Sequence, residues 1–210
     1  MQNEMMQYIK ESLISDFETT SIDNGDDYTI KKEKATFTVT STKNQERQIN
    51  DNVTTIDLGK CASKLIEEYN ISSNESLYIF MVDILIDNIH KIEYEVYYNF
   101  TFDNLTKLDL NFCKGIKIDI SFPIYIPNNE IDKYNKSSGY YNDICYTLTS
   151  DSGTDKSLKD RKNEYKIYNL SVCEEDCEFT SYNKDFKKAV CSCFTKKDMT
   201  LISKIILDKK

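Results

Sequence analysis

Cysteine is the residue type in this chain with the widest range of chemistry. The sequence contains seven cysteines, and closely spaced thiols form disulfides or hold zinc. The last four follow the pattern C-x3-C-x13-C-x-C, in which the central gap is long enough for a hairpin. The seven are Cys61, Cys113, Cys145, Cys173, Cys177, Cys191 and Cys193.

The spacing of the last four cysteines fits the second to fifth cysteines of an EGF-like module, with Cys145 in the first position. It predicts the pairs Cys145–Cys177 and Cys173–Cys191. Cys193 is then unpaired in this chain, because the sixth cysteine of such a module would follow it. Cys191 and Cys193 share one face of a strand, so each needs a separate partner. The alternative pairing of Cys173 with Cys193 leaves Cys191 free and is nearly as compact.

Zinc is the alternative ligand for the last four cysteines, which could together hold the ion tetrahedrally in a cytosolic interaction module. Zinc knuckles usually separate paired ligands by two residues and often contain a glycine, and neither feature is present. Free buried cysteines in a cytosolic domain are a third interpretation. We therefore expect disulfides, with no metal and no cofactor.

Cys61 and Cys113 lie outside the C-terminal cluster and are predicted to pair with each other. Cys61 follows a predicted strand over residues 53–58, and Cys113 ends a predicted strand over residues 108–113. Neighbouring strands would bring the two thiols together.

Asparagine within Asn-x-Ser/Thr is the second feature with covalent chemistry, because this tripeptide is the acceptor of N-linked glycans. Seven copies occur, which favours a glycoprotein on a secretory route; Asn-rich coding is the alternative explanation. The candidate residues are Asn52, Asn70, Asn74, Asn99, Asn104, Asn135 and Asn169.

The segment Asp151-Ser152-Gly153-Thr154 matches the D-[ST]-G-[ST] loop of aspartic proteases. That chemistry needs two carboxylates that share one proton, and the sequence has no second copy, so only a homodimer could supply it. The flanking residues are polar where a protease has apolar strands. We predict an exposed turn and no catalytic residue.

Other polar groups are also assigned to solvated surface. Asp151, Asp155 and Asp160 could offer hard oxygens to calcium, but their spacing is not that of an EF-hand. The single histidine, His90, is predicted to lie in a hairpin turn with no neighbouring nucleophile. The acidic residues between Cys173 and Phe179 are most simply a solvated loop.

Alternating apolar residues predict the elements that would position these groups. Strands are predicted over residues 29–30, 35–41, 53–58, 77–86, 92–100, 108–113 and 116–126. Residues 1–17 and 61–69 have helical spacing, and the polar residues 42–52 are predicted to be a loop. Residues 77–86 and 92–100 should form a hairpin, and residues 108–113 should pair with 116–126 around Gly115.

The amino-acid composition of the chain changes at about residue 128. The predicted elements beyond it are short strands at 144–148, 177–182 and 187–194 and a charged helical stretch at 156–165. The fold prediction is mainly β: an antiparallel, sandwich-like domain over residues 1–127 with a leading helix, followed by a small disulfide-rich region over 128–210.

Composition excludes some functions. The formal net charge of −8 opposes binding to nucleic acid. No run of residues is apolar enough for a membrane span or a signal peptide, so any membrane attachment would come from segments outside this chain. The cysteines and sequons nevertheless favour the extracellular face of a membrane.

Several segments resemble the ectodomain module of large, mostly uncharacterised membrane proteins of protists. They are TTIDLGKC (54–61), KLIEEYNIS (64–72), YYNDICYTLTSDSGTDKSLKDRKNEY (140–165), CEEDCEF (173–179) and KKAVCSC (187–193). The resemblance implies a non-enzymatic structural or adhesive role, with the rest of the polypeptide and other surface proteins or glycans as partners. It also implies that a further cysteine, the partner of Cys193, and membrane spans follow.

Overall fold

The computed structural model describes residues 19–48, 52–86, 89–101, 104–149, 153, 155–168 and 172–197. The helices are α1 Thr20–Asp23, α2 Thr42–Arg47, α3 Lys60–Glu68, α4 Ile131–Tyr134, α5 Gly139–Asn142 and α6 Leu158–Tyr168, with a 3-10 turn at Leu110–Cys113. The strands are β1 Tyr28–Lys31, β2 Ala35–Ser41, β3 Thr55–Asp57, β4 Tyr78–Ile86, β5 Ile89–Thr101, β6 Asn104–Lys107, β7 Lys117–Pro123, β8 Cys177–Asn183 and β9 Lys188–Phe194. The helix predicted for residues 1–17 lies outside the described residues.

The described strands form two antiparallel sheets. Sheet A has the order β1-β2-β4-β5-β6, and sheet B has the order β3-β7-β9-β8. The predicted hairpin of residues 77–86 and 92–100 is confirmed as β4 and β5, with Tyr78 opposite Tyr97. The prediction of a mainly antiparallel β fold is therefore confirmed.

The main core lies between the two sheets. Strand side chains alternate between the faces of a sheet, so every second residue of a half-buried strand is apolar. The residues of β5 in this core are Ile92, Tyr94 and Val96, and those of β7 are Ile118, Ile120 and Phe122. These residues belong to one buried cluster, so the sheets pack face to face as the alternation predicts.

Residues 42–47 form helix α2, where a loop was predicted. The Oγ of Ser41 accepts the Asn44 N–H at 3.2 Å, which is an N-cap. The buried residues of α2 are amides: Asn44 Nδ2 donates to the Ile22 carbonyl oxygen at 3.0 Å, and Gln45 Nε2 donates to Thr40 Oγ1 at 3.1 Å. Because these contacts are hydrogen bonds, the segment has no apolar face for a pattern search to find.

The predicted strand over residues 108–113 is also wrong. Asp109 accepts the Asn111 N–H at 2.8 Å and starts the 3-10 turn Leu110–Cys113. Strand β7 pairs with β3 and β9. No strand forms over residues 144–148, and only Thr149 makes an isolated bridge, with Asp155.

The predicted boundary at residue 127 runs through a single sheet. Strand β9 hydrogen bonds along the whole of β7, with Cys191 opposite Ile120 and Ala189 opposite Phe122. These four residues all belong to the main core. The change in composition at residue 128 therefore does not separate two hydrophobic cores.

Three disulfides are present. Cys61–Cys113 is confirmed, with 5.2 Å between the Cα atoms, and Cys173–Cys191 is confirmed at 5.8 Å. The third pair is Cys177–Cys193.

The predicted Cys145–Cys177 bond is therefore wrong, and so is the prediction that Cys193 has no partner. The free, exposed cysteine is Cys145. Cys177 lies directly opposite Cys193 in the β8–β9 hairpin, so hairpin register supplies a nearer partner than the distant Cys145. This connectivity is not that of the predicted EGF-like module. It also removes the four thiols proposed for zinc.

Candidate functional site

A groove lined by both polar and apolar residues lies against the face of sheet B that points away from the core, with a cavity volume of about 450 Å³. Helix α2 forms one wall, and helix α3 forms the other. We call it the sheet B groove and define it by its polar strand residues Thr55, Asp57, Asp119, Ser121, Ser181, Asn183 and Lys188, with Thr42, Gln45 and Glu46 from α2 and Ala62, Ser63 and Ile66 from α3.

Strand alternation explains why polar side chains line the groove. Because Ile118, Ile120 and Phe122 point into the core, the intervening Asp119 and Ser121 point to the opposite face. The register of β3 then places Thr55 opposite Ser121, and Asp57 opposite Asp119. The part of the groove floor formed by β3 and β7 thus presents hydroxyls and carboxylates.

The carboxylates of the groove are poorly compensated. Asp57 and Asp119 are exposed and directly opposite on neighbouring strands, where like charges destabilise a sheet. Asp57 Oδ1 accepts the Gly59 N–H at 2.8 Å, and Glu46 adds a third carboxylate to the lining. The cation of the groove, Lys188, is buried and donates to Thr55 Oγ1 at 3.2 Å. The open part of the groove therefore carries net negative charge.

Gln45 gives the groove a fixed wall. Its Oε1 accepts the Ile56 N–H at 2.8 Å, a donor at the edge of sheet B. Its Nε2 donates to Thr40 of sheet A at 3.1 Å. One amide side chain therefore covers the edge of one sheet and ties it to the other, which protects that edge from pairing with another chain.

His90 is the second residue of β5, where a hairpin turn was predicted, and its ring contacts Asp83 and Phe122. Its Nδ1 is 2.8 Å from Asp83 Oδ1, and its ring stacks on Phe122 of the other sheet with 4.6 Å between centroids. Thr54 Oγ1 donates to the same Asp83 carboxylate. Since the hydroxyl bonds to the carboxylate and not to the imidazole, the imidazole does not activate it. The three groups instead join β4, β5 and the segment before β3.

The acidic residues near Cys173 and Cys177 form structural contacts. Glu174 accepts the Ile92 N–H at 2.7 Å and pairs with Lys196, whose Nζ donates to the Ile92 carbonyl oxygen at 3.0 Å. Together these groups cover part of the edge of β5. Glu178 pairs with Lys117 on the neighbouring surface at 2.6 Å. The solvated-loop interpretation is therefore wrong for Glu174.

The predicted protease-like turn is largely beyond the described residues, because Asp151, Ser152 and Thr154 fall outside them. Of the proposed calcium ligands that are described, Asp160 lies in the first turn of helix α6, where Ser157 caps the helix. Its N–H donates to Ser157 Oγ at 3.2 Å, and its carboxylate accepts the Ser157 hydroxyl at 2.6 Å. That carboxylate already has a structural role.

The sequons differ in accessibility. Asn52, Asn70 and Asn74 are exposed, whereas Asn99 and Asn135 are half-buried. Asn135 Oδ1 accepts the Ser137 N–H at 3.0 Å. The side chain of Asn104 and the whole of Asn169 lie outside the described residues.

Sequence reasoning missed a cluster built around Arg161, which is 1% exposed. Its guanidinium donates to the carbonyl oxygens of Tyr140 and Asp143 and lies 5.7 and 5.4 Å from the ring centroids of Tyr140 and Tyr146. Desolvation raises the pKa of the Tyr140 phenol. Arg161 is one of two arginines in a Lys-rich chain. An arginine in such a chain was the sequence feature that could have indicated a buried cation, because arginine and lysine are not interchangeable at stacked, hydrogen-bonded sites.

These observations define a β-sandwich cross-linked by disulfides, with a groove that carries exposed carboxylates on one outer face. No family model matches the chain, and no curated protein and no solved structure was found to be similar to it. Among the described residues, no helix is long and apolar enough to cross a membrane.

Proposed function

We propose that this chain is a non-enzymatic recognition or adhesive module on the extracytoplasmic surface, part of a larger membrane-anchored protein. The observation that carries the proposal is the set of three disulfides. Disulfides persist in oxidising compartments and are rare in the cytosol, so they indicate a secretory or extracellular environment.

The positions of the disulfides support a surface role. Cys177–Cys193 joins the two strands of the β8–β9 hairpin, Cys173–Cys191 joins the segment before β8 to β9, and Cys61–Cys113 attaches helix α3 to the 3-10 turn. The disulfides thereby restrain the α3 wall and the β8–β9 part of the floor, and hydrogen bonds of Gln45 hold the α2 wall. A preformed site loses less conformational entropy when it binds a partner.

The charge of the groove supports a partner with basic side chains. Asp57, Asp119 and Glu46 present carboxylates, and the nearby hydroxyls of Thr55 and Ser121 add acceptors and donors. A lysine or arginine side chain of another surface protein fits this lining, since charge-assisted hydrogen bonds to carboxylates are strong. We therefore propose a protein partner with an exposed basic segment, and treat glycan binding as the competing outcome.

The compartment is tested in the organism that makes the protein. Antibodies against the chain should stain intact, non-permeabilised cells, and maleimide mass-tagging without reductant should label one of the seven cysteines. Staining only after permeabilisation, together with seven reactive thiols, would overturn the proposal.

The groove is tested separately with the purified chain. Fluorescence anisotropy should show binding of Lys- or Arg-containing peptides, weakened by salt and by the double substitution Asp57→Asn/Asp119→Asn. Glu33→Gln is the matched control, because Glu33 is an exposed carboxylate in the β1–β2 turn of sheet A. Equal loss of binding in both variants, or binding of neutral glycans alone, would contradict a cationic partner.

A further inference from the structure

Asn70 occupies an exposed position directly after helix α3. Its φ of 52° is in the left-handed region, where asparagine is among the few residues other than glycine that occur readily. Its N–H donates to the Glu67 carbonyl oxygen at 3.3 Å, so the backbone ends the helix while the side chain remains exposed.

Asn70 is one of the residues that line a shallow depression with a volume of about 580 Å³. The other lining residues are Ser63, Ile66, Glu67, Ile71 and Ser73. Hydroxyls, one carboxylate and two isoleucines give a mixed polar and apolar surface, and a sugar ring offers the same combination of hydroxyl edges and apolar faces.

This depression adjoins the sheet B groove. Ser63 and Ile66 line both cavities, since they lie on helix α3 between them. Whatever fills the depression therefore borders the α3 wall of the groove.

We propose that Asn70 carries an N-linked glycan whose first sugar occupies this depression. The inference rests on the proposed secretory route. The sugar donor is an oligosaccharide linked to a lipid diphosphate. Asn70 Nδ2 forms a bond to the anomeric carbon as the bond from that carbon to the diphosphate oxygen breaks. One amide proton leaves to a base, and the lipid diphosphate is the leaving group.

Two other sequons lack this arrangement. Asn99 is half-buried, and its Oδ1 is buried without a hydrogen-bond partner in the described structure, so its side chain is less accessible than that of the exposed Asn70. Asn135 uses its Oδ1 to hold the Ser137 N–H. A glycan on Asn70 would also restrict entry to the groove from the α3 side, so a partner would approach from the side of α2.

The test uses the full chain secreted from eukaryotic cells behind an added signal sequence. Ser72→Ala removes the sequon and leaves Asn70 in place, and Ser72→Thr retains it. Ser76→Ala is the matched control, because it removes only the Asn74 sequon four residues away. Glycopeptide mass spectrometry measures occupancy, and hydroxyl-radical footprinting measures exposure of Ile66.

We expect occupancy at Asn70 in the wild type and Ser72→Thr, and loss of one glycan in Ser72→Ala. Ile66 should be oxidised more in Ser72→Ala than in the wild type, and Ser76→Ala should leave Ile66 unchanged. The inference would be overturned if Asn70 carried no glycan in the wild type and in Ser72→Thr. It would also be overturned if oxidation of Ile66 were the same with and without the Asn70 glycan. Because the host cells supply the secretory route, neither result depends on the compartment of the native protein. A failure of the proposed compartment would be detected separately, as free thiols in the protein from its native cells.

Discussion

Cys177 lies directly opposite Cys193 across the β8–β9 hairpin, with 4.3 Å between their Cα atoms. The pairing depends on a β-bulge, because the register shifts between Phe179 and Ser181 and the extra residue, Thr180, is absorbed there. Without the shift Glu178 would oppose Cys193. The bulge therefore lets Cys177 meet Cys193 while Ser181, beyond the bulge, lines the groove.

The first prediction concerns connectivity. A non-reduced digest should yield three linked peptide pairs, joined through Cys61–Cys113, Cys173–Cys191 and Cys177–Cys193. Iodoacetamide should alkylate Cys145 without denaturant, because that thiol is exposed. Substituting Cys145→Ser should change the free energy of unfolding by less than about 0.5 kcal/mol, as at other surface positions. A peptide linked through Cys145 would contradict the assigned pattern.

The second prediction concerns the disulfide between α3 and the 3-10 turn. Its cysteines are 52 residues apart, so the bond closes a long loop in the unfolded chain. Loop entropy predicts that Cys61→Ala/Cys113→Ala lowers the free energy of unfolding by about 3–4 kcal/mol. Urea denaturation measures the difference, with Cys145→Ala as the control. A loss below about 1 kcal/mol would show that the bond contributes little through the unfolded state.

The predictable parts of this fold are those with apolar alternation. In β7, Ile118, Ile120 and Phe122 predict a buried face, and the structure confirms it. Helix α2 could not be predicted in the same way, because its buried residues Asn44 and Gln45 are held by hydrogen bonds. Periodicity reports apolar burial and does not detect polar burial.

The Cys177–Cys193 pair and the groove could not be predicted from the sequence, for another reason. The spacing of the cysteines shows only which cysteines are close in sequence. The residue that faces Cys193 depends on the bulge at Thr180, which shifts the register of β8. The facing of Asp57 and Asp119 likewise follows from the pairing of β3 with β7, whose sequences are about sixty residues apart. Such long-range register has no local sequence signal.

The third prediction is a loss of stability at alkaline pH. Burial raises the pKa of Tyr94 from its ordinary 10.0 to about 12, and the phenol oxygen accepts the Lys196 N–H at 3.3 Å. The fold favours the neutral phenol. The contribution of the neutral Tyr94 phenol to the free energy of unfolding is therefore complete below about pH 10. It is lost as the pH rises towards about 12, by up to about 1.4 kcal/mol per pH unit.

Urea denaturation over this pH range measures the effect, after alkylation of Cys145 to prevent thiol exchange. Tyr94→Phe cannot ionise and should show a shallower loss of stability than the wild type. Tyr28→Phe is the control, because the Tyr28 ring is 48% exposed. If the free energy of unfolding fell equally steeply with pH in Tyr94→Phe and the wild type, the Tyr94 phenol would have the same pKa in the folded and unfolded states.

The fourth prediction concerns the buried guanidinium of Arg161. Arg161→Met keeps much of the side-chain volume but leaves the carbonyl oxygens of Tyr140 and Asp143 without their donor. An unsatisfied buried polar group costs about 1–3 kcal/mol, so we expect a loss of roughly that size for each carbonyl that water does not reach. Near-ultraviolet circular dichroism should also change, since the guanidinium lies against the rings of Tyr140 and Tyr146.

The matched control is Lys162→Met, which removes an exposed cation from the next position of the same helix. It should change the free energy of unfolding by no more than about 0.5 kcal/mol. Arg161→Lys distinguishes charge from geometry, because an ammonium cannot reproduce two parallel donors or the planar contact with the rings. We expect it to resemble Arg161→Met in both stability and tyrosine dichroism. Full retention of wild-type stability in Arg161→Lys would show that the cluster needs only a positive charge.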